Sequence, residues 1–177
     1  MSLTIDGTNG FVMPGGQTQL GALTQGTAAA STSGTSVDFT SIPSWVRRIT
    51  ISLSGVSTSG TSTMISRIGD STGFYTTGYT GSVATLTNAA AVAVAATTGS
   101  LNISMVTAAS DNCVATVVWT LVVGNTWVGT SSARTNGTVF TMANSSVTMT
   151  GALDRVRVTT GNGTDTFDAG SINILYE

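Results

Sequence analysis

The sequence predicts an all-β protein: an antiparallel β-sandwich, jelly-roll-like, with an extended N-terminal arm. Three observations lead there. Only 8% of the 177 residues are charged, against roughly 25% in ordinary soluble proteins. There is no Lys and no His, and the one Glu is Glu177, so the residues that clothe helix surfaces are nearly missing. Apolar and polar residues alternate at a spacing of two in many short runs, the period of a strand with one buried face. Asn9-Gly10, Asn136-Gly137 and Asn162-Gly163 supply dipeptides that close tight turns. Strands about 8–12 residues apart with such turns between them make sandwiches and barrels. The Gly, Ser and Thr content would also suit a disordered chain, but 41% apolar residues is too hydrophobic for that.

The strands follow in order. "TSVDFTSI" alternates Val37 and Phe39 and stops at Pro43. Pro43 fixes a corner, and Trp45 can plug the end of the sandwich with its large apolar area. "VRRITISLS" sets Ile49, Ile51 and Leu53 on one face, with Arg48, Thr50, Ser52 and Ser54 on the other. "STMISRIG" is next, then "TGFYTTGYTG", which is aromatic but broken by Gly and reads as an edge strand or a loop. Residues 87–99, "TNAAAVAVAATTG", favour helix by their Ala content. The spacing of Val92 and Val94 and the Thr flanks favour a strand or extended segment, which is the reading taken. "LNISMVTA" and "CVATVVWTLVVG" are strong strands; the latter is apolar on both faces and predicts a central position. "GNTWVGT" reads as a turn and short strand, and "GTVFTMA", "SSVTMTG", "DRVRVTTG" and "GSINILYE" complete the set. No repeat of fixed period and no heptad is present, which excludes a long fibrous shaft.

Residues 1–30 differ. Gly7, Gly10, Pro14, Gly15 and Gly16 leave only short apolar pieces between them, too little to offset the backbone entropy of ordering. The expectation is an attachment arm over 1–30 and a sandwich domain over 31–177. The arm would order on a partner through small anchors such as Leu3, Ile5, Phe11 and Leu20.

Composition removes most chemistry. Without His there is no imidazole base, triad or His metal ligand, and without Lys no Schiff-base or P-loop chemistry. The single Cys113 allows no intrachain disulfide and no zinc site; a buried, inert thiol is its expected role. The carboxylates Asp38, Asp70, Asp111, Asp154, Asp165 and Asp168 sit mostly beside Gly, Ser, Thr or Asn, where Asp closes turns. A glycosidase pair would need two of them, and calcium would need an ordered Asp-x-Asp array that the chain lacks. No catalytic residue, cofactor or metal is therefore expected. A net charge of −2 gives no basic stripe for nucleic acid. No run of about 18 apolar residues predicts membrane insertion, and no leader of secretory type opens the sequence. The triplets at Asn102, Asn136, Asn144 and Asn162 match the glycosylation pattern, but without such a leader they carry no weight.

Binding surfaces are the better lead. Sugars stack apolar C–H faces on aromatic rings rimmed by hydrogen-bonding groups. Phe74, Tyr75 and Tyr79 cluster in a Gly-rich stretch beside Asp70, and Trp127 follows the Gly124-Asn125 turn. These residues could meet a neighbouring subunit, the core or a glycan. Trp45 and Trp119 read as core. Arg47 and Arg48 point to opposite faces of a strand, whereas Arg155 and Arg157 share one. Each Arg would pair with an Asp at a strand end or with a carboxylate of another chain.

Three segments, "TSVDFTSIPSWVRRITISLSGVSTSGTS", "RIGDSTGFYTTGYTG" and "FDAGSINILYE", resemble a family of small virion proteins of tailed bacteriophages, of the tail fibre or appendage type. The opening "TIDGTNGFVMPGGQTQ" is similar to the "GTTG…FPDGTVQ" leader of phage fibre proteins, with Gly15 where that pattern has Asp after Pro. The resemblance implies a β-sandwich on the virion exterior, made in the bacterial host cytoplasm, often trimeric and without catalytic residues. The expected function is a structural protein of the tail fibre or tail tip that binds other virion proteins and contacts host surface glycans. The alternatives are a capsid decoration protein and a carbohydrate-binding module; the latter would need a secretory leader or a fused enzyme.

Overall fold

The computed structural model describes residues 23–88 and 92–177, together with the backbone of two short strands, β1 (Thr4–Asp6) and β2 (Gly10–Val12); the side chains of 92 and 93 are outside this description. The anchors Leu3 and Leu20 lie outside the described residues. Ile5 and Phe11 are opposite each other in the antiparallel β1–β2 ladder.

The remaining strands build two antiparallel sheets. They are β3 (Thr24–Gln25), β4 (Ala29–Ala30), β5 (Ser36–Phe39), β6 (Arg48–Thr58), β7 (Met64–Asp70), β8 (Gly73–Phe74) and β9 (Thr80–Thr87). After them come β10 (Val92–Thr97), β11 (Leu101–Ser104), β12 (Cys113–Val123), β13 (Thr126–Thr135), β14 (Val139–Thr148), β15 (Arg155–Thr160) and β16 (Phe167–Tyr176). The larger sheet has nine strands in the order β10-β9-β14-β13-β12-β6-β16-β3, with β4 also on β16. The smaller has five, β11-β7-β15-β5, with β8 on β7. The antiparallel β-sandwich expected from the sequence is the architecture found. Nine strands against five is wider and less even than the eight strands of a jelly roll.

The core lies between the sheets. Ile49, Ile51 and Leu53 of β6 point inward with Val117 and Trp119 of β12 and meet Met64 and Ile68 of β7. Trp119 is fully buried, and its Nε1 donates to Ser66 Oγ at 3.1 Å across the interlayer space. Tyr79 stands edge-on to it at 6.2 Å. Opposite Trp119 in the β12–β13 ladder is Gly129, where a Cβ would lie 2.7 Å from the indole ring. The glycine makes room for the largest side chain of the core. Cys113 is buried, and burial pushes its thiol pKa up, as expected of an inert cysteine.

Turn chemistry explains the tight connections. The β13–β14 hairpin closes with Asn136 at φ 49° and Gly137 at φ 73°, both positive as the hairpin turn requires. Trp45 is half-buried against Tyr176, ring centroids 5.9 Å apart, just past the corner where Val46 N donates to Pro43 O. Five features differ from the sequence reading. β9 was not anticipated as a strand. β13 is ten residues long. The two runs around 137–151 form one strand, β14. In addition, β12 is central in its sheet but covered on one face only: Val114 is exposed on the other face, over which no layer packs among the described residues, and Val122 and Val123 are exposed beside the β12–β13 turn. Residues 24–30, assigned by pattern to the arm, pair instead along β16, where Gly26 N donates to Ile174 O.

Candidate functional site

Strand β7 carries the chain to Asp70, where Ser71 and Thr72 turn it back into β8. Asp70 is 1% exposed and is the knot of this end. Its Oδ1 accepts from Thr72 N at 2.9 Å and Thr72 Oγ1 at 2.6 Å; its Oδ2 accepts from Tyr75 Oη at 3.0 Å, Thr150 Oγ1 at 3.2 Å and Gly151 N at 2.9 Å. Hydrogen bonds from Thr72, then those from Tyr75 and Gly151, hold the carboxyl well below the usual carboxylate range against the opposing effect of burial. The carboxylate thus ties the β7–β8 turn to the β14–β15 loop. With both oxygens spent on internal donors and almost no exposure, it is not placed to meet a ligand.

The sequence candidates therefore separate. Tyr79 is 2% exposed; its hydroxyl accepts from Ile68 N at 3.0 Å, and burial pushes its pKa up to about 12. Trp127 is also 2% exposed, at the edge of a cavity of about 130 Å³ beneath the β12–β13 turn. Tyr79 and Trp127, like Asp70, are corrected from binding candidates to interior residues. The physical reason is that the inward register of their segments aims them at the space between the sheets. Phe74 and Tyr75 stay partly exposed, beside an open depression of about 240 Å³ formed by Thr72–Thr77.

Around Phe74 the outer face of the smaller sheet gathers half of the chain's arginines. Arg157 sits over the Phe74 ring with its guanidinium carbon 4.2 Å from the centroid, and Arg155 lies at 5.8 Å. Arg157 forks onto Asp38 at 2.7 and 2.6 Å, and Arg155 onto Asp154 at 2.6 and 3.1 Å. Arg67 is directly opposite Arg157 in the β7–β15 register and gives Nε to Gly99 O at 3.1 Å; it has no ion-pair partner among the described residues. The face thus places two planar cations against one aromatic ring, each forked onto a carboxylate, with Arg67 beside Arg157 on the neighbouring strand. The Nε and Nη2 donors of Arg155 and Arg157 are taken by Asp154 and Asp38, and one face of the Phe74 ring lies under Arg157. The shared face of Arg155 and Arg157 was legible in "DRVRV". Asp38 and Arg67 come from strands distant in sequence and carried no signal.

The other basic pair, Arg47 and Arg48, is exposed at both positions, Arg47 just before β6 and Arg48 at its start. Arg47 Nη1 donates to the Ser44 and Val46 carbonyls, and Arg48 meets Glu177 at 3.4 Å on the surface. Asp111 accepts from Thr107 N, Thr107 Oγ1 and Ala108 N, and Asp165 from Ser62 N and Asn162 Nδ2; both close loops. Asp168 accepts from Ser57 Oγ. Among the described residues, no group of three or more His, Cys, Asp or Glu side chains is placed to hold a metal ion. In comparison with known proteins, no family model, no curated protein and no solved structure matches this chain.

Proposed function

We propose that this chain is a non-enzymatic structural protein on the exterior of a tailed bacteriophage particle, a component of the tail fibre or tail tip. The observation that carries the reading is where the sandwich spends its ionisable groups. Asp70, Asp111 and Asp165 close loops, Asp38 and Asp154 clamp arginines, and Glu177 pairs with Arg48. These are fasteners of a sheet scaffold. The broad faces they leave are built from Ser, Thr, Val and Ala with little charge, which suits a subunit whose surfaces are shared with neighbours better than a free monomer. The resemblance of residues 35–62, 67–81 and 167–177 to small tailed-phage virion proteins supports the same reading, and with it a homotrimer bound to other virion proteins. The Phe74–Tyr75 surface is the best-placed part of the described chain for a host glycan, since both rings stay partly exposed there beside an open depression. An antibody against the sandwich domain, applied to purified particles under the electron microscope, tests the reading. Label at the tail or its fibres is expected. Label over the head would make the chain a capsid decoration protein, and unlabelled particles would refute a virion role.

A further inference from the structure

We propose that two copies of this chain join edge to edge through β10, pairing antiparallel about Ala93 so that the nine-stranded sheet continues across a two-fold axis. The sheet margins point to this strand. The far margin of the larger sheet is formed by β3 and β4, two residues each. In the smaller sheet, β5 is four residues long and carries Asp38 under Arg157, and β11 is four residues long. Short strands and charges are how edges are protected from other chains. Strand β10 has neither protection. It runs six residues, Val92–Thr97, in unbroken register with β9, and among the described residues it pairs with no other strand. It holds no charge, no Pro, no Gly and no bulge. Its outward row of N–H and C=O groups matches one kind of occupant, another strand.

The sequence of this segment favours a second copy as that occupant. Counting outward from Ala93, Val92 answers to Val94, Ala91 to Ala95 and Ala90 to Ala96. Antiparallel self-pairing about Ala93 therefore sets Val92 of one copy against Val94 of the other, twice. The same register joins rows on the outer face. Val92 is in line with Leu86 and Phe140, and Val94 with Ala84 and Met142. Val94 is 70% exposed, and across the axis it would continue into the Leu86 row of the second copy. A contact of this kind is isologous and closed, because it consumes the unprotected edge of each copy and leaves none for further growth. It does not depend on the virion reading. If a three-fold contact exists elsewhere, β10 pairing joins two trimers.

Light scattering on the full chain at micromolar concentration, with one charge variant and its control, tests the proposal. V94K should halve the mass of the assembly, because each lysine would stand opposite Val92 of the other copy and put a positive charge on either side of the axis in the short apolar seam. V123K, equally exposed but beside the β12–β13 turn, should leave the mass unchanged. A single-chain mass for the native protein, an unchanged mass for V94K, an equal loss in V123K, or open-ended fibres would each overturn the proposal. Mild oxidation reads the register separately. A93C should yield a disulfide-linked pair, since the two residues face each other on the axis. A95C should not, because its mate lies four residues along, roughly 13 Å away. Buried Cys113 adds no background. Failure of A93C to link, or preferential linking of A95C, refutes the register and with it the self-complementary pairing.

Discussion

Replacing Asp70 by Asn keeps the shape of the side chain and removes its charge, so it isolates what the carboxylate does. In the native site both oxygens face donors only: Thr72 N and Oγ1 on one side, Tyr75 Oη, Thr150 Oγ1 and Gly151 N on the other. An amide must turn its NH2 toward one of these sets. The Thr and Tyr hydroxyls can rotate and accept, but Thr72 N or Gly151 N is left facing another donor. One orphaned buried donor costs about 1–3 kcal/mol, and charge-assisted bonds weaken to neutral ones besides. A loss of about 3 kcal/mol follows, which for a chain of this size lowers the thermal midpoint by roughly 6–12 °C. Tryptophan fluorescence on heating, followed at pH 7, reads it. The pH dependence gives a second check. Because the folded carboxyl is held below its ordinary value, it contributes stability above the unfolded pKa near 4, and that contribution is lost as pH falls through the folded value. The gap between native protein and D70N should therefore be about 1 kcal/mol smaller at pH 3 than at pH 7. A midpoint within 2 °C of native at pH 7, or a gap that does not narrow in acid, would refute the reasoning.

Two further outcomes follow from the packing and the chain organisation. Gly129→Ala places a Cβ 2.7 Å from the Trp119 ring, so overpacking should cost about 1–3 kcal/mol in urea unfolding; native stability would mean that the indole slides aside freely. Deleting residues 1–22, which spares β3 and β4 on β16, should leave the thermal midpoint of the sandwich unchanged and abolish its incorporation into particles. Unfolding of the shortened chain would make that segment part of the core, and normal incorporation would move the attachment surface onto the sandwich.

Much of the sheet framework was legible because alternation is a local signal. In "RITISLS", the inward Ile49, Ile51 and Leu53 are buried and Arg48, Ser52 and Ser54 exposed, and the Asn136-Gly137 turn is where its dipeptide puts it. Strand β9 was not legible. Its Val83 and Leu86 are three apart, so they fall on opposite faces and break the period of two; its place between β14 and β10 rests on ladder partners, which its own residues do not name. The same limit hid the extent of β14, where "GTVFTMA" and "SSVTMTG" read as two strands but Asn144 continues the ladder with β9 and β13 between them.

For the candidate site, residue type and register divided the labour. The sequence by itself determined that the chain is all-β, that it holds no His or Lys for catalysis, and that Arg155 and Arg157 share a face. These depend on composition and on the two-residue period of a strand, which hold before any contact is made. Only the tertiary structure decided that Tyr79 and Trp127 face the interior, that Asp70 is a knot with five donors, and that Asp38 and Phe74 both meet Arg157. Burial and partnership are properties of pairs of strands, and Asp38 and Arg157 are 119 positions apart. Alternation says that a residue points to one side of its strand. Which side is the core is set by the sheet that packs against it.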